Sequence, residues 1–300
     1  MKRNAVLQPE SHQDSNITQI LDGLIINPMN ASESSVMSLV NNTAVSYIDE
    51  GPAEGRVVIF IHGFPLNKSM WEKQIEALQD EFRVIAYDIR GHGDSEAGNA
   101  HFSMDLFVND LIGFMQSLNI EKAVLCGLSM GGYIALNAAI NFPEHFDALI
   151  LSDTSCTADS PKSRNKRIEA IESIRLNGLE NFADESIKNL FASGSVDAKG
   201  AEIAAAREMI VNTSSQSVYN SMHALAVRKE TCSRLSEIKI PVLILVGDED
   251  KITPPIAAMV MHQNIRGSAF SIIEKAGHLS NMENPYEFNY LVKKFLATVY

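Results

Sequence analysis

Six consecutive residues, Gly127-Leu128-Ser129-Met130-Gly131-Gly132, place a serine between glycines two positions before and two after. That G-x-S-x-G spacing suits a nucleophile. Small neighbours allow a sharp strand-to-helix turn, which lifts the hydroxyl clear of the chain and aims a helix N-terminus at it. The stretch lacks the lysine and spacing of a phosphate-binding G-x-x-x-x-G-K-[ST] loop. A serine hydroxyl is a poor nucleophile near neutral pH and needs a base, itself oriented by a carboxylate. On turns of this kind the acid and then the base follow the serine in the chain. His12, His62, His92 and His101 precede Ser129; His145, His223, His262 and His278 follow it. His145 lies directly behind the helix after the serine, and His223 and His262 fall within helical stretches. His278 follows the last strand, in Ala276-Gly277-His278-Leu279. A strand-end loop on the serine's sheet edge is where a base must stand, so His278 is the candidate.

The acid belongs on the loop after the preceding strand, where Gly247-Asp248-Glu249-Asp250 stands. Asp250 is far enough along to turn back toward His278, and Thr253-Pro254 can pin the loop. Asp248 and Glu249 are read as facing solvent or bonding the loop backbone. Asp153, at the end of an earlier strand, stays open as an alternative. Ester cleavage builds an oxyanion, so two donors must meet it. The Met130 N–H follows the nucleophile, and the Phe64 N–H lies on the loop His62-Gly63-Phe64-Pro65 after the first parallel strand. Loss of one such donor costs roughly 2.7–4 kcal/mol of transition-state stabilisation. His62 is read as stabilising its turn. The loop Asp88-Ile89-Arg90-Gly91-His92-Gly93-Asp94-Ser95 could hold a metal through Asp88, His92 and Asp94, but a loop locked by Arg–Asp pairs is favoured. No metal ligand set and no cofactor are assigned.

These residues need a scaffold that delivers them to one edge. Val57 to Ile61 is an unbroken apolar run rich in β-branched residues, as in a strand buried on both faces. Strands are expected also at Arg83 to Tyr87, Ala123 to Cys126, Ala148 to Leu151, Val242 to Val246 and Ala269 to Ile273. Helical spacing appears over Met70 to Leu78, Met104 to Leu118, Tyr133 to Ile140, Pro255 to Met261 and Pro285 to Thr298. This alternation predicts a mostly parallel sheet with helices on both faces. Between Ser160 and about Arg234 only helical stretches occur: Ser163 to Leu176, Leu179 to Phe191, Ala201 to Val211 and Ser217 to Val227. The expected organisation is a polar N-terminal extension over 1–40, a core over 41–153 and 237–300, and an all-helical lid over 154–236. The cluster Lys162, Arg164, Lys166 and Arg167 reads as a solvated helix face.

Composition excludes several other classes. The chain of 300 residues is 45% hydrophobic and 21% charged, enough for a substantial core. With 37 acidic and 25 basic side chains its net charge is −12, which repels phosphate backbones, so nucleic acid is not an expected partner. No stretch reaches the roughly 18 apolar residues of a membrane helix, and Asn4, Gln8, Pro9, Glu10 and His12 break up any leader-like run. Cys126, Cys156 and Cys232 form no C-x-x-C pair and suggest no disulfide framework, so a reducing, cytoplasmic setting is expected. Oligomeric state is not legible.

Taken in order, His62 to Pro65, Asp88 to Ser95, Gly127 to Gly132, Gly247 to Pro254 and Gly277-His278 resemble the α/β-hydrolase superfamily, over residues ~43–300. His62 to Asn67, Gly131 to Leu136 and Gly277 to Pro285 look like the 3-oxoadipate enol-lactonase-like and small carboxylesterase branch. The resemblance implies Ser129 as nucleophile, Asp250 as acid, His278 as base and a helical lid over the site. Serine at 129 argues against the haloalkane dehalogenase and epoxide hydrolase branches, which carry aspartate there. The implied activity is cleavage of small-molecule esters or lactones, with Phe64, Leu66 and Trp71 shaping an apolar pocket near the entrance. A cofactor-free perhydrolase or C–C bond hydrolase shares such a triad. A ligand-binding protein that keeps the triad without turnover is the alternative from another class.

Overall fold

The structure is a computed structural model that describes residues 35–300. Eight strands form one sheet: β1 (Val36–Val40), β2 (Thr43–Glu50), β3 (Val57–Ile61), β4 (Arg83–Tyr87), β5 (Ala123–Leu128), β6 (Phe146–Ser152), β7 (Val242–Gly247) and β8 (Ala269–Ile273). Their order is β1-β2-β4-β3-β5-β6-β7-β8. The β1–β2 and β2–β4 pairs are antiparallel, and every other pair is parallel. The strand positions read from residue 57 onward appear, within two residues at either end.

Alternate residues of the central strands feed two cores. Ile59 and Ile61 of β3 face one, which also takes side chains of helices α2 (Met104–Ser117), α3 (Met130–Asn141) and α8 (Pro255–Asn264). Val58 and Phe60 face the other, against α1 (Glu72–Leu78) and α10 (Pro285–Val299). Burial on both faces is why these strands read as unbroken apolar runs.

The sequence reading missed the first two strands and placed 36–40 in the extension. Asn41 and Asn42, with φ of 49° and 59°, turn β1 back on β2, as a two-residue hairpin requires. The edge strand leaves Met37 and Leu39 exposed, so it lacked a buried pattern to detect. The remainder of the extension lies outside the described residues.

Between β6 and β7 come four helices and no strand: α4 (Pro161–Leu190), α5 (Ser195–Ala198), α6 (Gly200–Asn212) and α7 (Ser215–Val227). Gly178, at φ 81° and ψ 176°, breaks α4 where the sequence pattern separates two helices. A short α9 (Ser280–Glu283) precedes α10. No described helix is long and apolar enough to cross a membrane.

The reading of three unpaired cysteines is overturned. Cys156 and Cys232 form a disulfide, 76 residues apart in sequence, and Cys126 is buried and free. Cys156 follows β6, Cys232 lies shortly before β7, and these strands are adjacent. Sheet topology makes the pair, and a linear spacing rule has no access to it. Disulfides persist in oxidising compartments, so the argument for a reducing, cytoplasmic setting is withdrawn. The bond ties together the two ends of the helical insertion. Opening it should cost about 2–4 kcal/mol by releasing a long loop in the unfolded chain, which lowers the melting temperature by roughly 5–10 °C. Calorimetry of the wild type with and without dithiothreitol, beside Cys156→Ser/Cys232→Ser, checks this; identical melting in all samples would show the two sulfurs unbonded.

Candidate active site

Ser129 stands between the last residue of β5 and the first of α3, at φ 54° and ψ −113°. This backbone region is costly for a residue with a side chain and persists only where its surroundings hold it. The Ser129 N–H donates to the Ser152 carbonyl at 3.0 Å, and the Thr154 hydroxyl donates to the Ser129 carbonyl at 2.8 Å. The glycines explain themselves sterically. A Cβ on Gly131 would sit 2.1 Å from the Ile61 carbonyl oxygen, and one on Gly127 would sit 2.3 Å from the Gly131 oxygen. Only hydrogen fits where strand, turn and helix cross.

Asp250 and His278 meet at the adjoining strand ends. His278 Nδ1 lies 2.9 Å from Asp250 Oδ2, with both side chains buried. Asp250 Oδ1 accepts the N–H groups of Ile252 and Thr253, and Oδ2 accepts the Thr253 hydroxyl at 2.7 Å. Thr253 thus holds the loop as its position suggested. Burial works to raise the Asp250 pKa, but the His278 charge and the hydrogen bonds from His278 and Thr253 outweigh it, and the net shift is downward. Burial works to lower the His278 pKa, but Asp250, with Asp153 and Glu283, raises it overall. The raised imidazole contributes stability below its ordinary pKa, which is lost as pH climbs through the folded value. The depressed carboxylate contributes above its ordinary pKa, and that part is lost as pH falls through the folded value.

The competing carboxylates have other partners. Asp248 accepts the Ala276 N–H, and Glu249 accepts the N–H and hydroxyl of Ser193. Asp153 is fully buried and accepts the Gly247 N–H at 2.8 Å and the hydroxyls of Ser152 and Ser280. Burial and the nearby Asp250 charge push its pKa well up, against the pull of His278. Asp153 therefore braces the two strand ends, and Asp250 is the carboxylate bonded to the imidazole.

Ser129 and His278 both line a cavity of about 560 Å³, together with Phe64 and Thr253. Among the described hydrogen bonds none joins the Ser129 hydroxyl to His278; such contacts are commonly long without substrate and tighten when one binds. Gly63 passes close over the serine, since a side chain there would lie 3.3 Å from the Ser129 Cβ. Neither the Phe64 nor the Met130 N–H donates among the described bonds, and Met130 opens α3, where helix N–H groups lack partners. The adjacent loop is fixed through His62, whose Nε2 accepts the Ile89 N–H and whose Nδ1 donates to the Gly63 carbonyl, both at 2.9 Å. Burial lowers its pKa to about 4. His62 is a neutral brace.

Leu66 and Trp71 do not line the cavity. Both are fully buried in the core that includes Phe60 and Phe288, so their assignment to substrate contact is corrected. Asp88, offered as a metal ligand, instead accepts the Lys68 N–H, the Lys68 ammonium and the Asp94 N–H. The loop is locked by the Arg90–Asp110 pair, of the kind expected, and also by Lys68–Asp88.

Of Arg164, Arg167, Arg207 and Arg228, the arginines the sequence offers for an acidic substrate, Arg167 and Arg228 line this cavity. Arg228 and Arg167 converge there on Asp159, at 2.6 Å each. The Arg228 guanidinium lies 4.3 Å from the Tyr133 ring centroid, and its Nε is buried without a partner. Lys166 and Lys251 join the lining. Arg167 and Lys166 therefore face the cavity, although the charge cluster read as a solvated face. Arg207 pairs with Asp184 on the surface. Four cations against one carboxylate give this cavity a positive wall in a chain of net charge −12.

The chain belongs to the α/β-hydrolase family, whose model, described as alpha/beta hydrolase fold, matches residues 56–285. It is 30% identical over 252 residues to the 3-oxoadipate enol-lactonase 2 of Acinetobacter baylyi, covering 84% of this chain and 92% of that protein. Among solved structures it is similar to a thermophilic esterase from Thermogutta terrifontis, at 33% identity and a TM-score of 0.84, over 89% of this chain and 99% of that one. An enol-lactonase from Burkholderia xenovorans LB400 is 27% identical with a TM-score of 0.82, covering 87% and 100%.

A neutral imidazole is required to accept a proton, so kcat/KM should rise with pH through the elevated His278 pKa. Asp250→Asn removes the charge that raises it. Turnover of an activated ester should fall about 1,000- to 10,000-fold, and the residual activity should keep its acid limb at lower pH. A pH–rate profile of both proteins reads the outcome; an unshifted limb would separate Asp250 from the base.

Proposed function

We propose that this protein hydrolyses carboxylic esters or lactones through an acyl-enzyme. The observation that carries the reading is the buried Asp250–His278 pair opening onto the same cavity as a serine held on a strained turn. His278 Nε2 takes the proton as Ser129 Oγ bonds to the substrate carbonyl carbon. Asp250 keeps Nδ1 protonated and favours the imidazolium that forms. The Phe64 and Met130 amides receive the oxyanion. The tetrahedral centre then collapses, and His278 returns the proton to the leaving alkoxide; in a lactone that oxygen stays attached to the acyl group. Water loses a proton to His278 as it adds to the acyl carbon; collapse of that centre breaks the acyl–Oγ bond, and His278 returns the proton to Ser129 Oγ as the acid leaves.

The helices between β6 and β7 roof this cavity and act as the lid. The similarity to an enol-lactonase and an esterase supports the ester or lactone class. The Arg167, Arg228, Lys166 and Lys251 wall supports a substrate bearing a carboxylate away from the scissile bond.

The test compares p-nitrophenyl butyrate with its carboxylate-bearing analogue, p-nitrophenyl hemisuccinate. Ser129→Ala should lower kcat/KM by at least about a thousandfold on both. A wild type no faster than Ser129→Ala would overturn the enzyme reading, and binding of the ester without turnover would then favour a binding protein. Arg167→Met should raise KM about tenfold for the hemisuccinate and leave the butyrate nearly unchanged; an equal change on both esters would remove the anionic-substrate reading.

A further inference from the structure

Glu283 is buried and takes no part in the steps above, yet it joins the base loop to the lid. Its Oε1 accepts the Gly277 N–H at 2.7 Å. Its Oε2 accepts the Ala192 N–H at 2.8 Å and the Ser195 hydroxyl. Gly277 immediately precedes His278. The N–H groups of His278 and Leu279 both donate to the Leu190 carbonyl, at 2.9 and 3.2 Å. The approach leaves no slack, since a Cβ on Gly277 would lie 2.5 Å from Ala192 N and 2.7 Å from the Phe191 carbonyl carbon. From the same segment, Ser193 donates its N–H and hydroxyl to Glu249, one residue before Asp250. The stretch 190–195 at the end of α4 is therefore bonded to both the acid loop and the base loop. Glu283 is where three of these donors converge.

We propose that Glu283 is a positioning residue for His278, a buried carboxylate that clamps the base loop onto the lid's return segment. The assignment rests on the reading of His278 as the base. Two features distinguish a carboxylate here from any other filler. It is acceptor-only, so it can satisfy three donors at once; a glutamine amide would set its own N–H groups against one of them. It can also carry charge, which its three neutral donors favour while burial raises its pKa overall. The charged and titratable groups facing His278 are Asp250 from the loop after β7, Asp153 from the end of β6, Glu283 from α9 and, in the lining of the same cavity, Lys251. The carboxylates favour the imidazolium, so removing one lets the neutral base persist to lower pH.

The experiment follows p-nitrophenyl butyrate turnover and Ser129 labelling by a fluorophosphonate across pH, for wild type, Glu283→Gln, Ser195→Ala and Ser129→Ala. Circular dichroism monitors folding. Glu283→Gln should lower kcat about tenfold or more with KM within about threefold, and shift the acid limb of both profiles down by about half a pH unit. A wild-type profile, or a loss of kcat with the limb unmoved, overturns the assignment. Should Glu283→Gln fail to fold, Ser195→Ala decides: it removes one donor and keeps the carboxylate. It should lower kcat several-fold at unchanged KM, and wild-type kcat there overturns the assignment. Activity and labelling that survive Ser129→Ala overturn the reading of the site itself, and the assignment with it. Ser129-dependent activity with an unaltered Glu283→Gln profile defeats the assignment alone.

Discussion

A carboxylate and an imidazole, both withdrawn from water, share one proton at the carboxyl edge of the sheet. The 2.9 Å Asp250–His278 contact is the interaction on which the rest of this site depends. Burial by itself would drive the carboxylate pKa up and the imidazole pKa down, leaving a neutral and indifferent pair. The opposite shifts arise because each group stabilises the other's charge, helped by the donors of Ile252 and Thr253. The pair therefore tolerates its dry setting only with its loops held in register. Much of the surrounding structure serves that end: Asp153 ties β6 and β7 to Ser280 at the start of α9, while Glu249 and Glu283 fasten the end of α4 to the loops of Asp250 and His278.

The same economy governs the serine. Its strained backbone is held by bonds from neighbouring β6 and by glycines that admit no side chain. Strain of this kind is stable only on a rigid platform, and strands buried on both faces supply one. The proposed nucleophile, acid and base, Ser129, Asp250 and His278, come from three loops spread over 150 residues of sequence, and adjacency of β5, β6, β7 and β8 converts that separation into a common edge.

Charge is distributed with similar asymmetry. The chain is strongly acidic, whereas the cavity that Ser129 lines carries two arginines and two lysines against one aspartate. Arg228 is held against Tyr133, a residue of the nucleophile's own helix, so the cationic wall and the reacting end are parts of one packed unit. The disulfide closes the base of this insertion, which keeps its two ends beside the strands that bear the acid and the serine's support.

Local patterns in the sequence determined the elements: unbroken apolar runs for doubly buried strands, helical spacing for the flanking layers, a glycine-framed serine for the turn. Chain order then narrowed the histidines to His278 and the carboxylates to Asp250 with Asp153 in reserve, because both properties are written along the chain. Tertiary structure decided everything that depends on which distant residues touch. It bonded Asp250 rather than Asp153 to His278, sent Leu66 and Trp71 into the core, paired Cys156 with Cys232, and turned Arg167 toward the cavity. The exposed first hairpin strand also escaped notice, because only one of its five residues is buried. A periodic pattern reports that a side chain is buried or exposed, whereas partnership between side chains far apart in sequence is created only when the sheet sets their strands side by side.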